Sequence, residues 1–510
     1  MRARRVPDPA ASRAIDWPVW AALVVVALAA LLVRGYVYWG RPYLPGIDYG
    51  QAVLQARLYL EGGALPDKVP YFQLGQTDWA PLPGVSMLFA TLASLAGRPV
   101  MDVLPLVLVF ALVEVGGVAL LAWSVFRRAD AALMAASVTA VLSGQPEMMA
   151  WSGYPNVIGL ALLPFVCWAW LEYWRQPDRR RMVLAGLVVV GAASIHHLTT
   201  LWLGATLGLF AVAYLVAQPR RSFGKLLPLG VVGLVAGFPV IYQIIDRYIA
   251  SGLLDTLASQ PDRFDSVRVN WEGWVRVAEP VSLVVLAAGF TAFLLLRAVR
   301  AEARVLLGAY ALVSLAMSFG WWWGIEFYYM RALYFLALPI ALGAAALLYR
   351  WREGWLRIAV AAVLVAALGL SAIQRARDAA DYYQALTPGA LEAIDWLEAH
   401  SEPDDVVVAS TFLGFHLAHL LERPLLVAMT PVLIGNTQEM PLAQDAVSIM
   451  MGLHDMDEAI DRRGVRFIIL KANFPDVPSP FRSQTVMEAN PRLAQVYRND
   501  QIVIYEVIDA

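Results

Sequence analysis

Charged and imidazole side chains are costly beside a bilayer, and in this chain they are rare enough that each needs a reason. The first is Asp48, in Pro45-Gly46-Ile47-Asp48-Tyr49-Gly50-Gln51, ahead of a short helical pattern from Ala52 to Glu61. A carboxylate there could take a proton from an attacking hydroxyl. It could equally be the N-cap of the helix that follows, since Asp is a preferred cap, and the two roles do not exclude each other. Asp78 stands in Gln76-Thr77-Asp78-Trp79-Ala80-Pro81-Leu82-Pro83, before another apolar run, where capping is again open. Glu147 sits in Gln145-Pro146-Glu147, followed by Trp151-Ser152-Gly153-Tyr154-Pro155-Asn156, whose prolines and glycine shape a tight turn. A solvated loop glutamate is its plain reading. His196-His197 joins two apolar runs and could bind phosphate, ligate a metal or rest as polar tips. Glu326 precedes Phe327-Tyr328-Tyr329-Met330, and Arg331 then opens a run. An arginine fork suits a lipid phosphate, while snorkelling to the interface is the simpler account of Arg331.

The elements that must position these groups are hydrophobic helices. The chain of 510 residues is 59% hydrophobic and 16% charged, with a mean hydropathy of +0.58. That composition belongs to a polytopic membrane protein. A net charge of −2 gives no basic field for nucleic acid, and 18 Trp with 20 Tyr suit two interfacial belts. The single cysteine, Cys167, excludes intramolecular disulfides and thiolate metal clusters. Apolar runs of spanning length fall near 17–36, 104–126, 131–144, 155–173, 182–198, 199–217, 226–246, 281–298, 304–320, 332–349 and 357–374. The run 84–97 is assigned to the interface. Only then do Met1–Arg13, Arg127-Arg128, Arg175 with Arg179–Arg181, Arg220-Arg221-Lys225, Arg297–Arg304 and Arg350–Arg357 share the inner face. This register makes the N-terminus cytoplasmic. It puts every candidate above on the outer face, with Arg375 and Arg377 there against the rule.

The expected fold is thus a polytopic α-helical membrane domain over 1–380, with eleven spans and a first outer loop at 37–103. An extracytoplasmic α/β domain over 381–510 completes the chain. In it, 388–400 reads as a helix, and 405–410, 424–429 and 466–470 as strands. The end, 494–497 with 502–507, reads as a hairpin turning at Asn499-Asp500. His416 and His419, at i and i+3, would need a third ligand to make a metal site. The domain reads as packing or acceptor-binding structure with no catalytic set.

At this point the layout resembles the GT-C glycosyltransferases, integral-membrane enzymes that use polyprenyl-phosphate-linked sugars. In layout it is similar to protein mannosyltransferase and aminoarabinose transferase types. It is carried by the first-loop acid and helix (Asp48-Tyr49 through Glu61) and by a second helix opening on Trp79-Ala80-Pro81-Leu82-Pro83. Glu147 in the next outer loop and the soluble outer domain complete it. It implies two interfacial helices in the first loop, in keeping with 84–97. Oligosaccharyltransferase catalytic subunits carry a Trp-Trp-Asp-Tyr-Gly motif that this chain lacks; Trp321-Trp322-Trp323-Gly324 has no aspartate. The expectation is transfer of a single hexosyl or pentosyl group to a glycan, lipid or protein at the outer face of the plasma (inner) membrane. Asp48 would be the general base. Tyr49, Asp78, Glu147, Tyr154, Asn156, His196, His197, Glu326 and Arg331 would hold donor or acceptor. A divalent ion shared by Asp48 and Glu147 is left open. The competing classes are a transporter or flippase, for which the intramembrane Glu114 argues, and a scaffold.

Overall fold

A computed structural model describes residues 17–66, 68–77, 84–245, 280–319, 329–349, 354–428, 439–471 and 483–508. Asp78, Trp79–Pro83, Trp321–Gly324 and Glu326 lie outside them, as do the loop at 247–279 and the whole N-terminal basic cluster.

Every predicted apolar run contains helix. Among the described residues, seven helices are long and apolar enough to cross a membrane: Trp17–Tyr38, Val100–Phe126, Tyr154–Arg175, His197–Ala217, Ala301–Ser318, Arg331–Tyr349 and Trp355–Tyr382. The other four runs fall on Ala129–Val141, Arg179–Ile195, Pro219–Ile244 and the broken series Pro280–Leu295, which contains a π-helical segment at Val285–Phe290. That segment lies almost backbone to backbone against the Ala337–Tyr349 helix. A Cβ built on Gly289 would sit 2.6 Å from the carbonyl carbon of Gly343, so only two glycines permit the approach. The run at 84–97 is the helix Gly84–Ala96, packed against Tyr49–Gly62. Its 13 residues reach roughly 20 Å, too short for a hydrocarbon core of about 30 Å.

Basic groups from several of the clusters are drawn together. Arg357 and Arg128 both pair with Asp130, and Arg175 pairs with Glu172 and Glu302. Lys225 lies over the Trp174 ring at 4.8 Å. These groups gather at one end of the bundle. The helix Tyr154–Arg175 has 22 residues, roughly 33 Å, so its start, next to Trp151, lies at the other end.

Among the described residues the C-terminal sheet has five strands, in the order β2-β1-β3-β5-β4. They are β1 (Val406–Ser410), β2 (Leu425–Ala428), β3 (Val465–Lys471), β4 (Leu493–Arg498) and β5 (Ile502–Val507). β1 is parallel to β2 and β3, while β3–β5 and β5–β4 are antiparallel. Asn499 makes the predicted hairpin by accepting the amides of Gln501 and Ile502 on its side-chain oxygen. The two-residue period of the strands divides them between two cores. Val408, Leu426, Ile468 and Val503 pack under the helices Glu439–Met451 and Met456–Arg463. Val407, Val427, Ile469 and Ile504 belong to a core continuous with the membrane bundle, reached through the helix Thr411–Leu420. The sheet's β2 edge is closed by the first loop. Leu425 donates to the Tyr71 carbonyl (2.7 Å), and the Gln73 amide exchanges two bonds with Val427 (3.0 and 3.1 Å). Tyr71, Gln73 and Leu74 hold positive φ to do this.

Candidate active site

Asp48 occupies the N-cap position of Tyr49–Gly62, yet its side chain makes no capping hydrogen bond. The capping half of the expectation therefore fails, and the carboxylate is available for other work. The backbone amides on either side of it are held instead. The Gly46 amide donates to the Tyr383 carbonyl (2.9 Å), Ile47 to the Trp151 carbonyl (3.3 Å) and Tyr49 to Ser152 Oγ (3.0 Å). Gly46 is the one residue type that fits its place. Its φ is +127°, and a Cβ there would lie 2.2 Å from Ser152 Oγ. Ser152, itself at φ 62° and buried, locks the turn by donating to the Trp151 carbonyl.

Asp48 is partly exposed but enclosed by protein, so solvent touches it without fully solvating it. That desolvation pushes its carboxyl from the ordinary 3.8 up to about 6, while the Arg331 guanidinium pulls the other way. Arg331 also lies within electrostatic reach of His196 and His197. Its guanidinium sits 5.3 Å over the Trp151 ring. The two imidazoles pack 4.5 Å apart at the break between Arg179–Ile195 and His197–Ala217. Gly84, opening the short helix of the first loop, presses on the Ser194 carbonyl just before them, where a Cβ would come within 2.4 Å. The structure thus gathers Asp48, Arg331, His196 and His197 around the Trp151-Ser152 turn.

The remaining candidates are placed as follows. Tyr49 is fully buried, its hydroxyl reaching the Leu44 carbonyl at 3.4 Å. Tyr154 is buried with its hydroxyl facing Tyr38 and its edge against Phe89. Both line the wall behind Asp48. Asn156 is buried and its Oδ1 has no hydrogen-bond partner among the described residues. Glu147 lies in the helix Gly144–Ala150, 3.9 Å from Arg375, which gives that dissenting basic residue an acidic neighbour at this end of the bundle. Among the described residues no three His, Cys, Asp or Glu side chains gather closely enough to hold a metal ion. Asp48 and Glu147 each lie beside an arginine instead, a donor set unsuited to sharing a cation.

Three residues that sequence reasoning passed over belong to this site. Ser152 appeared only as part of a turn, and Gly50 as part of the opening stretch. His416 was weighed for metal with His419. Its Nε2 instead meets the Gly46 carbonyl at 2.9 Å.

Along the helices that carry Glu147 and Arg331 lies a small open pocket of about 40 Å³. It is walled mainly by apolar side chains, including Leu142, Leu283, Leu333, Leu336 and Ile340. Tyr334, one turn beyond Arg331, and Gln145 and Met148, flanking Glu147, also line it. Gln145 donates to Glu114 (2.9 Å), which pairs with the fully buried Arg34 (2.8 Å). Arg34 in turn donates to the Thr139 carbonyl (3.2 Å). The intramembrane acid is therefore a strut between helices.

No curated protein matches the chain in sequence. A family model described as a 6-pyruvoyl-tetrahydropterin synthase related domain of a membrane protein matches residues 77–240, a stretch that omits both Asp48 and the C-terminal domain. Solved structures match over nearly the whole chain. Oligosaccharyltransferase AglB from Archaeoglobus fulgidus, in complex with an inhibitory peptide and a dolichol-phosphate, is 13% identical with a TM-score of 0.58; 89% of this chain and 69% of that one are covered. ArnT from Cupriavidus metallidurans, bound to undecaprenyl phosphate, gives 14%, 0.57, 96% and 98%. The mycobacterial arabinofuranosyltransferase AftD gives 16% and 0.59, covering 98% of this chain and 40% of that one. The fold of this chain is that of the GT-C membrane glycosyltransferases.

Proposed function

We propose that the protein transfers a single sugar from a polyprenyl-phosphate-linked donor to a hydroxyl-bearing acceptor at the extracytoplasmic face, with Asp48 as general base. The observation that carries this reading is an uncapped carboxylate held beside an arginine and two histidines. Inverting transfer needs a proton removed from the acceptor as it attacks the anomeric carbon, and a positioned carboxylate contributes about 10²–10⁴ in rate. The departing lipid phosphate needs positive charge where its own charge grows, which Arg331 supplies. Asn156 Oδ1 and Glu147 are the acceptors nearest to hand for sugar or acceptor hydroxyls. The lipid-bound states of the AglB and ArnT structures are in keeping with a lipid-phosphate donor.

Asp48→Asn tests the assignment. With polyprenyl-phosphate-linked hexoses and pentoses as donors, it should abolish transfer while leaving undecaprenyl phosphate binding intact. Turnover near that of the unsubstituted protein would overturn it. The transporter reading loses its main support, because Glu114 is engaged with Arg34 and Gln145.

A further inference from the structure

We propose that His416 is a positioning residue for Asp48, so that the C-terminal domain is a working part of the transfer site. This rests on the reading of Asp48 as the base. Gly46, two residues before Asp48, has its amide fixed by Tyr383 and its carbonyl by His416 Nε2 at 2.9 Å. Of the hydrogen bonds that hold this loop, the one at the Gly46 carbonyl comes from a side chain of the soluble domain. His416 is fully buried, and its ring lies 4.5 Å from that of Tyr49. Its Nδ1 has no partner among the described residues. Burial keeps the imidazole neutral, pushing its pKa down to about 4. A neutral ring that donates through Nε2 presents one N–H at one angle.

The approach of the two elements is built in elsewhere too. At Gly50 a Cβ would lie 2.4 Å from the Phe415 carbonyl oxygen, so the first loop's helix can rest on the domain's helix only through a glycine. Arg57, two turns further along, pairs with Glu422 (2.7 Å) and donates to the His419 carbonyl (3.2 Å). With the Gln73–Val427 bonds and the His416–Gly46 bond, these contacts fix the first loop to the domain on both sides of Asp48. A base must be held close to its productive geometry, and a displacement of about 1 Å costs on the order of 10²-fold in rate.

The test compares His416→Leu with His416→Gln, whose side-chain amide nitrogen can donate to the same carbonyl. His416→Leu should lower kcat by roughly 10–100-fold, with the donor KM and undecaprenyl phosphate binding unchanged. Hydrogen exchange at the amides of residues 46–50 should quicken. His416→Gln should restore both turnover and protection to within a few-fold. Unchanged kcat and exchange in His416→Leu would overturn the proposal, as would a Gln variant as impaired as the Leu one. An active Asp48→Asn enzyme would instead overturn the base reading, and the positioning role with it.

Discussion

If Asp48 is the base, transfer must switch off over a pH range set by the burial of its carboxyl. Desolvation moves that group from an ordinary 3.8 to about 6. The difference corresponds to about 3 kcal/mol between its protonation states. A carboxyl titrating near 6 is roughly nine-tenths ionised at pH 7, one-tenth at pH 5 and one-hundredth at pH 4, so kcat/KM should fall about tenfold per unit below 6. The phosphodiester of a lipid-linked donor stays ionised throughout and contributes nothing to this limb. Arg331 favours the ionised form, so Arg331→Gln should move the limb to higher pH as well as weaken donor binding. Rates measured with a short-chain polyprenyl-phosphate sugar from pH 4.5 to 8.5 provide the assay. The same burial fixes a sign for stability. The fold holds this proton more tightly than the unfolded chain does, so the carboxyl favours folding below about pH 4, and that preference is lost as pH rises through about 6. Asp48→Asn should therefore raise the unfolding midpoint at pH 7.5, and the advantage should vanish near pH 4. A flat rate profile between pH 7 and 5, or a limb unmoved by Arg331→Gln, would refute the reasoning.

Two further outcomes follow from the packing. Gly50→Ala should force the first loop away from Phe415, costing about 1–3 kcal/mol; proteolysis between the membrane domain and the sheet should quicken, and unchanged resistance would show that the contact yields freely. Substituting either Arg34 or Glu114 alone should leave a buried charge, worth about 3–5 kcal/mol. Arg34→Met with Glu114→Met should recover most of that in unfolding assays and retain transfer, whereas loss of transfer in the stable double variant would give Glu114 a functional role.

The helices, the basic clusters and the sheet were legible because each is written in local pattern: long apolar runs, charge at one end, and short apolar strands. Asn499 announced its hairpin in the same way. The broken run at 281–298 was less so, since its close approach to the next helix depends on Gly289 and Gly343, which are far apart in sequence. The site was legible in membership more than in arrangement. Asp48 and Arg331 could be singled out by type, but whether Asp48 capped its helix depended on a side-chain torsion that sequence does not show. His416 pointed to His419 by spacing, whereas its partner is Gly46, 370 residues away. Contacts across such separations have no periodicity to read.

The contrast between Glu114 and Asp48 shows what separates a strut from a reactive acid. Both are carboxylates removed from bulk water, and by residue type either could do chemistry. Glu114 has an arginine at 2.8 Å and an amide donor at 2.9 Å. Those partners satisfy it, and removing one would cost stability. Asp48 sits where a cap would satisfy it, and the cap bond is not made. Its backbone neighbours are bonded to Tyr383, Trp151, Ser152 and His416 in its place. Three separate parts of the chain thus fix the position of a carboxylate whose cap bond is left unmade. A group held at some expense yet left underused is where strain and desolvation serve function. The same logic explains why Gly46 and Gly50 flank it: the loop can be gripped this tightly only where no side chain intervenes.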